Sequence, residues 1–159
     1  MRRKAISVLL LFFIALAISC TNNSKEGFPL YGIRIGDSPE QVEAILLKAG
    51  YTKNTESLSE NFISLIFISN ENRIMLVFKD KKLDLFSSEI GNKNFEVLIS
   101  DLRTNLGYPS YYSSTEEKAE WTIKNKPIIT KLDLIRNSSG RYVIGMIRDR
   151  MAEIDEGWY

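Results

Sequence analysis

The chain has 159 residues, 44% of them apolar and 11% aromatic, which is enough to bury one globular core and too apolar for a disordered chain. It contains no histidine, so the usual neutral-pH general base, metal ligand and triad partner are missing, and its single cysteine excludes an internal disulfide. Formal charge is +1; with Arg2, Arg3 and Lys4 set aside in a cleaved leader, 18 basic residues face 20 acidic ones, a balance that does not supply the basic face a general nucleic-acid binder needs.

The start of the chain reads as an export signal. Met1-Arg2-Arg3-Lys4 is a short positive segment, and the run from Ala5 to Ala17 is almost wholly apolar before polar residues resume at Thr21. A membrane-spanning helix needs about 20 apolar residues, so this run is too short to stay as one. Leu16-Ala17-Ile18-Ser19-Cys20 resembles a bacterial lipobox, in which the cysteine thiol accepts diacylglycerol and becomes the first residue of the mature chain. Ala17 stands where leucine is commoner, and Ala15-Leu16-Ala17 also fits an ordinary signal peptidase, which would leave Cys20 as a free thiol. The reading is a signal peptide over 1–19, a membrane anchor through lipidated Cys20, and a flexible tether over 20–29. Thr21 is not the aspartate that retains enterobacterial lipoproteins in the inner membrane, so the outer membrane is favoured over the inner.

Ser38-Pro39-Glu40-Gln41 then opens a helix: serine at the N-cap, proline in the first turn, and glutamine where a capping box requires it. Val42, Ile45, Leu46 and Ala49 recur at helical spacing, and Gly50 closes a helix expected over 39–49. A second helix starts near Asn94, with Phe95, Leu98, Ile99, Leu102 and Leu106 on one face, and stops at Gly107. Between and after the helices, β-branched and aromatic runs separated by polar turns predict six strands: 62–69, 73–79, 83–87, 119–124, 128–136 and 141–148. The tail 149–159 is either a short helix or a frayed end.

A shift of 57 positions brings Gly50-Tyr51 onto Gly107-Tyr108, the apolar faces of the two helices onto each other, and Leu76-Val77-Phe78 onto Asp133-Leu134-Ile135. The expected fold class is therefore α+β, two helices packed on an antiparallel sheet over 30–148. The sequence also admits a tandem α-β-β-β repeat over 30–90 and 91–148.

Ile35-Gly36-Asp37-Ser38-Pro39-Glu40-Gln41-Val42 resembles the helix-opening segment Gly-Met-Thr-x-x-Gln-Val of the small outer-membrane lipoproteins of the SmpA/OmlA or BamE-like family. Leu106-Gly107-Tyr108-Pro109 resembles that family's Leu-Gly-x-Pro exit, although here it follows the second helix and not the first. A helix followed by antiparallel strands, in tandem, is similar to the β-lactamase-inhibitor-protein-like fold. The resemblance implies a binding scaffold for a protein partner, in outer-membrane protein assembly, with no catalysis. It assigns no partner-binding residue by matching.

The sequence points to no enzyme and to no cofactor or metal. Asp80, Asp84 and Asp133 read as solvated carboxylates, and Ser113-Ser114 has no base to activate a nucleophile. Tyr108, Tyr111 and Tyr112, in a Tyr/Ser loop beside a proline, have the composition of protein-binding hot spots, and Trp158 is a further candidate contact; Trp121 reads equally as core. Two functions follow from different classes: a lipid-anchored cell-envelope binding protein, or a secreted, inhibitor-like protein that binds an extracytoplasmic enzyme.

Overall fold

The computed structural model describes residues 31–70, 72–91 and 93–158. The segments read as signal peptide and tether, with Cys20, lie outside the described residues.

The chain before the first helix is stitched to the sheet, since Gly36 donates to the Leu83 carbonyl at 2.8 Å and Leu83 donates back to Asp37 at 2.8 Å. Gly36 has φ +96°, a conformation that residues with a Cβ rarely adopt, and a Cβ there would also stand 3.0 Å from Ile128 Cδ1. Helix α1 (Pro39–Lys48) follows with the anticipated capping box: Gln41 N–H donates to Ser38 Oγ at 3.4 Å and Ser38 N–H to Gln41 Oε1 at 2.9 Å. It ends in a Schellman arrangement, Tyr51 N–H donating to Leu46 and Gly50 N–H to Leu47, with Gly50 at φ +85°. Ser38→Ala should lower stability by about 1 kcal/mol, read from the urea midpoint at unchanged slope; no shift would mean that proline alone starts the helix.

Four strands come next in a meander, β1 (Thr52–Leu58), β2 (Phe62–Ser69), β3 (Asn72–Lys79) and β4 (Lys82–Ile90). Asp80 and Lys81, both at positive φ, form the two-residue turn between β3 and β4. Helix α2 (Phe95–Leu106) is capped by Asn94, whose side chain accepts from Glu96 N–H at 2.8 Å. Four more strands follow, β5 (Tyr111–Ser113), β6 (Lys118–Asn125), β7 (Ile128–Arg136) and β8 (Tyr142–Arg148), and then helix α3 (Arg150–Asp155).

All eight strands lie in one antiparallel sheet of order β1-β2-β3-β4-β8-β7-β6-β5. Two meanders thus meet along their last strands, where Phe86 faces Met146 and Ser88 faces Ile144. The side chains of one face, among them Phe67, Leu76, Phe86, Leu132 and Ile144, form a single apolar cluster with Val42 and Leu46 of α1 and Leu98, Ile99 and Leu102 of α2.

This architecture corrects the expected fold class. The described residues form a single eight-stranded antiparallel sheet with three short helices, and most of their regular structure is strand. The helices do not make the two-helix layer on a sheet that amphipathicity alone implied. Each half is a helix followed by four strands, not three, because β1 and β5 escaped the sequence pattern. Thr-Lys-Asn-Thr-Glu-Ser-Leu of β1 is exposed at every position and so carries no alternation, and β5 has three residues.

The shift of 57 positions does bring the helices and all four strands of one half over those of the other in sequence. Within β3 and β7, however, it sets buried Leu76 and Phe78 against exposed Asp133 and Ile135. A shift of 58 matches Ile74 and Leu76 to the buried Leu132 and Leu134. One residue of offset exchanges the two faces of a strand, so the residue match in these strands was out of register although the order of elements held.

Helix α3 settles the two readings of the tail in favour of a helix. Its N-cap Asp149 accepts from Ala152 N–H at 3.1 Å and pairs with Lys131 at 2.8 Å, which together hold the Asp149 carboxyl below its ordinary range. Glu153 is fully buried and accepts from Ile129 N–H at 2.9 Å and from the Arg148 guanidinium at 2.9 and 3.0 Å. Arg150 reaches back to Asp84 of β4 at 2.6 Å.

Candidate functional site

The exposed tyrosine loop is held from both sides. After α2 ends at Gly107, the Trp121 indole N–H donates to the Gly107 carbonyl at 3.0 Å, and Ser110 donates to the Glu120 carbonyl from its backbone at 2.8 Å and its hydroxyl at 3.0 Å. Trp121 itself is 3% exposed, so it is core, and its one polar atom fastens the loop to β6. Tyr108 sits between these two anchors with 87% of its surface exposed. Tyr51, which follows the equivalent glycine of α1, is instead buried and shares a hydroxyl hydrogen bond of 2.7 Å with Tyr31.

Arg103, in the last turn of α2, lies between two rings of this loop. Its guanidinium carbon is 5.5 Å from the centroid of Tyr108 and 5.0 Å from that of Tyr112. Tyr112 stacks on Phe95 at 6.0 Å and 14°, and Phe95 stacks on Tyr142 at 5.9 Å and 24°. The result is a row of aromatic rings running from the exposed Tyr108 past Arg103 and the start of α2 to the last strand of the sheet.

Two concave surfaces border this row. One is a groove of about 370 Å³ along α2, lined by Glu96, Ser100, Arg103, Thr104 and Tyr108. The other is a wide polar concavity of about 870 Å³ between the start of α2 and the β5–β6 and β7–β8 turns, lined by Lys93, Glu96, Glu117, Arg136 and Tyr142 among others. Glu96 lines both.

The carboxylates of this surface are engaged. Tyr112 donates to Glu96 at 2.8 Å, and that bond, with some desolvation, raises the Tyr112 phenol above its ordinary range. Glu117 accepts from the Tyr142 hydroxyl at 2.9 Å and from Arg136 at 2.7 Å, which lower its carboxyl, while burial and then the Glu117 bond raise Tyr142. Both tyrosines therefore remain protonated donors throughout the neutral range, and the surface offers rings, hydroxyls and guanidinium groups with the acids already bonded.

The structure separates the residues proposed from sequence. Tyr108 and Tyr112 come together around Arg103. Tyr111 pairs with Glu120 in β5–β6 and so points to the other face of the sheet, where it donates to Glu116 at 2.8 Å and lies under Lys118 at 5.5 Å. Trp158 is half-buried behind α3, its N–H donating to the Glu153 carbonyl at 3.0 Å; α3 is tied through Glu156 to Lys124, at the opposite end of β6 from the tyrosines. Cys20 lies outside the described residues. Asp80, Asp84 and Asp133 are not gathered: Asp80 is in a turn, Asp84 meets Arg150, and Asp133 lies across from Glu120, where desolvation and then the neighbouring acid raise its carboxyl. Among the described residues no three acidic or cysteine side chains are grouped as a metal site would require.

Arg103, Phe95 and Tyr142 were not singled out from sequence as site residues. Arg103 and Tyr108 are five residues apart across a helix end, and an arginine in the last helical turn followed by Gly-Tyr-Pro was the available signal. No family model, curated protein or solved structure matches the chain.

Proposed function

We propose that this chain is a lipid-anchored protein of the bacterial cell envelope, held through Cys20 with the outer membrane favoured, which binds a protein partner and performs no catalysis. The observation that carries the binding role is Tyr108, a large ring left 87% exposed on a loop pinned at both ends and backed by Arg103 and Tyr112. Exposed tyrosine and arginine held in place beforehand are the residue types that dominate protein–protein hot spots, because little rotamer freedom is lost when a partner arrives. The signal-like start and the lipobox-like Leu16 to Cys20 support the anchor. The likeness of Ile35 to Val42 to the opening of the BamE-like lipoproteins supports outer-membrane protein assembly as the process.

Two measurements on the native membrane test this reading. Palmitate should label the wild type and not Cys20→Ala; label that does not depend on Cys20, or a mature chain beginning at Ile18, removes the anchor. A photo-crosslinking residue at Tyr108 should join a discrete partner that the same residue at Lys81, in the distant β3–β4 turn, does not; identical patterns from both positions would remove the binding surface.

A further inference from the structure

Several of the described cations meet an acid. Lys53, Lys118, Lys124, Lys131, Arg136 and Arg150 each lie within 3.1 Å of a carboxylate oxygen. Arg103 differs: its only contacts of this kind are the two tyrosine rings, its Nε is buried without an acceptor, and it forms no ion pair among the described residues. On its own helix Asp101, two residues away, forms no ion pair with it, and Glu96 is occupied by the Tyr112 hydroxyl. Lys93, just before α2 on the rim of the polar concavity, likewise meets no carboxylate among the described residues.

A guanidinium resting over two rings has already given up part of the side-chain freedom that an arginine loses on binding, and its planar fork of N–H donors matches a carboxylate. Each ring supplies an apolar wall that strengthens a charge-assisted bond by excluding water. From Phe95 to Arg103 the helix rises about 12 Å, a distance that an extended chain covers in about four residues. We infer that this surface takes an extended acidic segment of a protein partner, with one carboxylate on Arg103 between Tyr108 and Tyr112 and a second acid toward Lys93. The inference rests on the protein-binding reading above and adds the chemistry of the partner. An anionic membrane surface fits less well, since it is attracted by clusters of unopposed cations and here Lys93, Arg136 and Arg141 are interleaved with Glu96 and Glu117, Arg136 being paired with Glu117.

The test uses the mature acylated chain, from Cys20 to Tyr159, in zwitterionic nanodiscs. Fluorescence polarisation measures binding of two ten-residue peptide libraries, one with two Asp/Glu positions spaced four residues apart and one with Asn/Gln at the same positions. The acidic library should bind about tenfold or more tighter, and Arg103→Gln should abolish that ratio while Arg103→Lys retains part of it, both variants keeping the wild-type melting curve. Equal binding of both libraries that is lost in Tyr108→Ala would overturn the acidic partner and leave the protein-binding surface standing. Failure of both libraries at millimolar concentration, together with no crosslink from Tyr108, would overturn both readings. Arg103-dependent binding to phosphatidylglycerol vesicles without peptide binding would assign the surface to lipid and overturn the inference.

Discussion

Glu153→Ala should destabilise the protein by about 3 kcal/mol and release α3 from the sheet. The carboxylate is fully buried and satisfies two donors at once, the backbone N–H of Ile129 and the Arg148 guanidinium. Alanine takes the Glu153 acceptor from the N–H of a fully buried residue, and takes its charge from beside a guanidinium that is only 22% exposed. Stranding one partner of a buried pair costs more than the pair itself contributes, which places this substitution among the most damaging available. Glu153→Gln keeps an acceptor for Ile129 and should cost roughly half as much. Thermal melting should fall by about 10 °C for the alanine variant, and the amides of 152–156 should lose their hydrogen-exchange protection before the rest of the sheet does. A melting point within a degree of wild type would show that α3 is held by other contacts.

Phe86→Ala should cost about 4 kcal/mol, and it should do so in both halves of the molecule together. Phe86 is fully buried on the strand where the two meanders join, opposite Leu76 on one side and Met146 on the other, with the Tyr31 ring 6.0 Å away. The cavity it leaves therefore opens onto both sides of the joint. Leu85, its neighbour on the opposite face of the same strand, is only partly covered and should cost about 1 kcal/mol when truncated to alanine. Fluorescence of Trp121 reports the second half and exchange at the Phe67 amide reports the first. Both should move to the same lower denaturant midpoint. A fall at Phe67 with Trp121 unchanged would mean that the halves unfold independently despite sharing a sheet.

The helices were legible because their ends are written in local chemistry. Ser38, Pro39 and Gln41 open α1, Gly50 closes it, and Asn94 and Gly107 bound α2, all through bonds that span at most a few residues. Strands β2 and β7 were legible to the residue because long β-rich runs end at clear turns. Fold class was not legible from the same signals. An amphipathic helix shows that one face is covered, and says nothing of whether its neighbour is a helix or a strand. The two outermost strands carry no buried alternation, so one strand in four of each meander was lost with them.

The candidate site was legible only in its tyrosines. Tyr108 and Tyr112 stood out by composition, yet the cation between them belongs to a helix, and the rings behind them, Phe95 and Tyr142, come from a helix start and the last strand. Tyr111 and Tyr112 are adjacent in sequence and face opposite ways because a strand alternates. Such a surface is assembled by the sheet order, which brings residues 93–112 beside residues 136–142. Glu153 was hidden for a related reason: an acidic residue in a polar tail reads as solvated until Arg148 and Ile129 are seen beneath it.

The open edges of the sheet bear on the membrane anchor proposed above. Lipid-anchored copies would be confined to two dimensions, where their effective concentration is high and an exposed strand can recruit the same strand of a neighbour. Here one rim is three residues long, and the other is a polar strand with Lys53 and Glu56 on it and an irregularity between Lys53 and Thr55 that breaks its straight run of donors and acceptors. Neither rim offers a long, flat, greasy template. On the proposed anchor, neither rim of the sheet gives crowded copies a ready seam along which to join, and the tyrosine loop lies away from β1.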